Sequence, residues 1–357
     1  MTVDVAVVAR RTVLVAIAAT AVTAVFAGLA RVGVSVAWGP AHAQAHGPLF
    51  ALGVIGAVVA LERAAAVRFA WALVAPALGA AAATAMVAGL SGAPWIATAA
   101  ALALVGLDAF IVRKQGAAFT VLTLLGSLEL LLGNVMWALG SPVFRVVPAW
   151  IGFVVLTIVA ERVDMSRLAP APRWAVALLV ALALLFALGT STSVLGMQAA
   201  LRAAGVVVGL VAVWQARFDL ARKTVRMHGL PRFAALGVLL GLGWLFLAAA
   251  ILASTPLPTV GALYDAALHS VFVGYGLSMI FAHAPIVLPS VARIELPFSG
   301  WLYVPLAVLH VGLVARIAGD LGGNATLRAA GATANAIALG LYAVAASYAR
   351  ARSPHRR

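Results

Sequence analysis

Residues 264–285 read YDAALHSVFVGYGLSMIFAHAP. A helix needs about 20 predominantly apolar residues to cross the hydrocarbon of a bilayer. This run meets that length and still carries Asp265, His269 and His283. A charge at the centre of a membrane helix costs ~2.5–3.5 kcal/mol on insertion scales, so each of these groups is a functional candidate by default. Asp265 and His269 are four positions apart and share one helical face. On α-helical geometry, His269 and His283 lie almost four turns and about 21 Å apart along the axis. The spacing predicts a ligand-bearing helix with one histidine in the outer leaflet and one near the inner surface.

Working outward, the whole chain has the composition of such a helix. It contains 357 residues, 64% of them hydrophobic and only 10% charged, with a mean hydropathy of +1.10. Apolar runs of spanning length recur from end to end, which predicts an all-α, polytopic membrane protein: a single transmembrane domain, 1–357, folded as one bundle. The lipid bilayer is its expected partner. The absence of cysteine excludes disulfides, iron–sulfur clusters and thiolate ligands. The net charge of +14 comes from short basic clusters between apolar runs. Topology accounts for these clusters, and nucleic acid is not an expected partner.

Twelve spans are expected, near 12–30, 46–66, 70–90, 95–112, 117–139, 146–161, 174–193, 198–216, 231–253, 260–284, 298–318 and 327–349. With the N-terminus inside, all 24 Lys and Arg residues except Arg31, Arg145, Arg202, Arg316 and Arg328 fall on the inner side, as the positive-inside rule requires. An odd number of spans would scramble that separation. The expected location is the cytoplasmic (inner) membrane, with both termini cytoplasmic. Arg10-Arg11, the following apolar run and Ala41-His42-Ala43 also have the outline of a secretory signal. The apolar run is longer than a signal core and the A-x-A lies well beyond it, so 12–30 is read as a span. Gly205 and Gly209, and Gly237 and Gly241, have the small-residue spacing that lets membrane helices approach closely. The basic stretch 217–232 reads as a topology determinant.

The polar residues within spans are few. His42 and His46 open the second span, and Glu62-Arg63 close it as an interfacial pair. Glu129 lies near the middle of the fifth span, with Gly126 and Gly133 on its own face, so that face is expected to pack on another helix. Its carboxyl is a candidate proton relay or a hydrogen-bonding acid. Asp108 reads as interfacial. His310, in the eleventh span, and His269 come to similar depth on sequential antiparallel helices, and His46 enters from the same side. His46, His269 and His310 therefore converge on the outer leaflet, with His42 and Asp265 a turn nearer the surface. Neutral imidazole ligates haem iron, copper and zinc: two histidines suit a bis-histidine haem, and three suit copper or zinc. Gly53 and Gly276, each seven residues after a histidine, would let a flat macrocycle approach the backbone. His283 is expected to hydrogen-bond or pack, or at most to ligate a second, inner centre.

The segments HGPLFALGVIGAVVALERA (46–64) and ALHSVFVGYGLSMIFAHAPIVLP (267–289) resemble the histidine-bearing spans of NnrS-type proteins, twelve-helix membrane proteins that hold haem and copper. The plan is also similar to subunit I of haem–copper oxidases, where a low-spin haem lies between the second and tenth spans. The resemblance implies His46 and His269 as the cofactor-binding residues; with the matched depth of the three histidines, His46, His269 and His310 are expected as metal ligands, and His42, Asp265, Glu129 and His283 as supporting or relay groups. The resemblance also implies haem or copper and a role in nitric oxide tolerance or metal handling, with an electron-transfer partner that the sequence does not identify. The sixth and seventh spans lack histidine, so the copper ligands of the oxidases are missing and oxygen reduction is not expected. The competing expectation is a secondary transporter or permease for a small solute, for which twelve spans and a mid-membrane Glu129 are ordinary.

Overall fold

The protein is described from a computed structural model covering residues 5–165, 171–254 and 260–351. Arg167, Arg352, Arg356 and Arg357 of the expected inner basic set lie outside the described residues. Among those residues there is no strand, and twelve helices are long and apolar enough to cross a membrane. In order they are α1 (Ala6–Arg31), α2 (Gly39–Val67), α3 (Ala70–Val87), α4 (Ala93–Lys114), α5 (Ala118–Ala138), α6 (Val143–Met165), α7 (Arg173–Val194), α8 (Ala199–Phe218), α9 (Leu230–Ser254), α10 (Ala262–Ala292), α11 (Gly300–Leu321) and α12 (Ala325–Ala351). The all-α polytopic expectation holds, and each expected span has its helix.

The chain divides into two compact units. The first comprises Met1–Thr157 with Ser290–Arg293, and the second comprises Ile158–Pro289 with Ile294–Arg357. In the first, α5 packs on α6 through glycines. A Cβ at Gly133 would lie 2.8 Å from the Trp150 ring, and one at Gly126 would lie 3.4 Å from Leu156 and Thr157. Glu129, on the same face, is buried, as the flanking glycines predicted. Asn134 ties this face together, because its Nδ2 donates to the Ala97 carbonyl and its Oδ1 accepts from Trp150 Nε1.

In the second unit, Gly237 of α9 packs against Ala282 of α10, and Gly209 of α8 against Ala249 of α9. These small residues close helix–helix contacts where apolar side chains gain nothing over lipid. Leu201, Leu252, Ala266, Ala267 and Leu313 form an apolar core there, with Trp244 and Tyr264 packed against it.

Among the described residues, two of the spans contain π-helical segments, and they are the two that carry His46 and His269. In α2, residues Leu49–Gly56 form an eight-residue π-helix. In α10, residues Ser270–Leu277 do the same. Such segments are rare in proteins and concentrate at functional sites.

Candidate functional site

His46 stands three residues before the π segment of α2, after a broken entry of short turns over Gly39–His42 and Ala43–Ala45. Its ring lies on α1, where Gly28 makes room. A Cβ at position 28 would come within 2.6 Å of His46 Cε1 and 2.8 Å of Nδ1. His46 Nδ1 is 2.7 Å from the Ala24 carbonyl oxygen. A carbonyl only accepts, so Nδ1 carries the proton and, in the neutral ring, Nε2 carries the lone pair. His42, four residues earlier, is half-buried.

His269 repeats this arrangement in the second unit. It immediately precedes the π segment of α10, and its Nδ1 is 2.8 Å from the Asp265 carbonyl oxygen one turn back. The Asp265 carboxylate adds a second contact to Nδ1 at 3.3 Å. Nδ1–H is thus held from two sides, and Nε2 is again the lone-pair nitrogen. A histidine that ligates a metal almost always has its other N–H held this way, by a carbonyl or carboxylate that fixes tautomer and ring orientation.

Asp265 does more than the sequence suggested. It grips Arg316 of α11 through both oxygens, with Nε to Oδ2 at 2.9 Å and Nη2 to Oδ1 at 3.0 Å. Arg316, read from sequence as an outer topology residue, is buried instead. Arg328 approaches Asp320 at 3.7 Å in the same unit. The signal for the first pair was available: opposite charges at the same end of two sequential spans.

His310 and His283 are engaged differently. His310 Nδ1 accepts from Trp244 Nε1 at 2.8 Å, so its proton is on Nε2, which faces Ser278 Oγ at 3.3 Å. Ser278 in turn donates to the Gly274 carbonyl at 2.6 Å, and the Trp244 ring lies directly against Gly274. Trp244, His310 and Ser278 thereby lock onto the π segment of α10. With both nitrogens committed, His310 serves in this geometry as a packing and hydrogen-bonding residue. His283 Nδ1 donates to the Met279 carbonyl at 2.8 Å, and its Nε2 accepts from Arg162 Nη2 at 2.8 Å. Arg162 also lies 4.0 Å from Asp219. Nothing in the sequence around Arg162 pointed to this contact.

Two pieces of sequence geometry do not carry over. Gly53 is filled by protein rather than open to a macrocycle: a Cβ there would meet Thr20 at 2.8 Å and Ala83 at 3.0 Å. Phase arithmetic based on 3.6 residues per turn also fails from His46 to Gly53 and from His269 to His283, because i→i+5 segments intervene. Among the described residues, no three His, Asp or Glu side chains gather as a metal-binding group.

No curated protein and no solved structure matches the chain. A family model matches residues 10–351, nearly the whole length, and the chain belongs to that family, described as Domain of unknown function (DUF8744).

Proposed function

We propose that this chain is an integral membrane haem- or copper-binding protein, with His46 and His269 as the imidazole ligands and a redox or nitric oxide-related role. One observation carries the reading. The two ligand candidates share the same local design, each with Nδ1 anchored on a main-chain carbonyl, at 2.7 Å and 2.8 Å, beside an eight-residue π segment. That design fixes the orientation of each ring and places the lone pair of the neutral imidazole on Nε2, the nitrogen through which a histidine held in this way ligates a metal. Each imidazole is a donor that haem iron or copper would accept. A three-histidine copper site is less well served, because His310 has both nitrogens committed to Trp244 and Ser278. Bound haem or copper would supply electron transfer or ligand binding at the metal. The residues of this chain hold and orient the imidazoles. Purified protein with a Soret band, abolished in His46→Ala and in His269→Ala but kept in His283→Ala, supports the reading. A band that survives both ligand substitutions sinks it.

A second reading, a secondary transporter, draws on the division into two compact units that each contain one π-interrupted span. Repeat-built transporters place their broken helices at corresponding positions. Here they are the second span of the first unit and the fourth full span of the second, which weakens that reading. Colourless, metal-free protein that moves a solute in proteoliposomes would favour it.

A further inference from the structure

Near the C-terminal ends of α2 and α4, within the first unit, Arg63 faces Asp108. Asp108 is 2% exposed, and its Oδ1 lies 4.0 Å from Arg63 Nε. That is too long for a hydrogen bond, which needs about 2.7–3.2 Å between N and O. Arg63 Nε, Arg63 Nη2 and Asp108 Oδ1 are all buried and none has a hydrogen-bond partner. Ser127 of α5 gives its hydroxyl proton to the Leu124 carbonyl at 2.9 Å instead.

The second unit contains an internal comparison. There the same Nε/Nη2 edge of Arg316 closes fully on a carboxylate, at 2.9 Å and 3.0 Å. The Arg63 edge is the one built to take two acceptor contacts, yet Asp108 is held back from it. Buried polar groups are almost always satisfied by protein or by ordered water. A species filling this gap must accept from the guanidinium and donate to the carboxylate. Water does both, and a buried water typically makes about three hydrogen bonds to otherwise unsatisfied groups. Two hydrogen bonds of about 2.9 Å meeting at a right angle span about 4 Å, which matches the observed separation. A bare anion would be repelled by Asp108, and a bare cation by Arg63.

We infer that a water molecule is bound between Arg63 and Asp108, bridging the two charges and joining α2 to α4 beyond the π segment. The inference does not depend on any cofactor. It is tested by electron cryomicroscopy of the full chain in lipid nanodiscs, at a resolution that shows ordered water elsewhere in the same map. The expected result is a peak within about 3 Å of both Arg63 Nε and Asp108 Oδ1. Direct N–O contact at about 2.8–3.0 Å with no peak between the side chains overturns the inference, as does a separated pair with nothing between.

Discussion

At the residue scale, His46, His269, His283 and His310 differ in what holds their ring nitrogens. His46 and His269 hold Nδ1–H on carbonyls beside π segments, whereas Nε2 of His283 accepts from Arg162 and His310 is held between Trp244 and Ser278. His283→Ala should therefore leave any cofactor in place while costing stability. It removes the acceptor of a charged donor, worth about 1–3 kcal/mol, read as a lower thermal midpoint in detergent. Gly28→Ala is the complementary change. Its Cβ would occupy the space of the His46 ring, at 2.6 Å from Cε1, so the folded protein should lose cofactor almost as completely as His46→Ala. Retention of cofactor in Gly28→Ala would show that the ring position is not required. Asp265→Ala should destabilise by roughly 3 kcal/mol, the low end for breaking a buried pair, because Asp265 is 29% exposed while Arg316 is 8%. Asp265→Asn should weaken cofactor affinity ~10–100-fold, as loss of a carboxylate that holds a ligand histidine does. Equal loss in Asp265→Asn and His269→Ala would erase the distinction between ligand and support.

At the element scale, α2 and α10 differ from the other spans in having a π segment next to a histidine. The local sequences LFALGVIG and SVFVGYGL are apolar runs whose composition does not distinguish α from π winding, so the helices were legible and their winding was not. The consequence is a shift in facing: histidine and glycine positions that share a face on an α-helix do not share it across these segments. Deleting Val54 should let the segment close toward α-helical register. It would rotate the preceding turn, with His46, by about 100° relative to the rest of α2. The deletion should abolish cofactor absorbance while membrane insertion and yield persist. Unchanged absorbance would mean that the π segment has no part in placing His46. The ties of His310 and His283 were not legible for a related reason. Trp244 and Arg162 lie 66 and 121 positions from their partners, and no periodicity along one helix reports such contacts. The Asp265–His269 pair was legible because an i, i+4 spacing is a contact in itself.

At the scale of the whole molecule, chain length and apolar spacing sufficed for twelve helices, because a bilayer admits few ways of satisfying a backbone. Orientation rests on the distribution of basic residues. A reporter fused after Arg357 should read as cytoplasmic, and an external signal would contradict the proposed sidedness. The central claim is that this fold presents imidazole ligands to a haem or copper cofactor. The most direct test is the ultraviolet–visible spectrum and metal content of the purified full-length protein, measured beside His46→Ala and His269→Ala. The account predicts stoichiometric iron or copper with its absorbance in the parent protein and loss of both in each variant. A parent protein that is colourless and metal-free after expression with haem and copper supplied would contradict it.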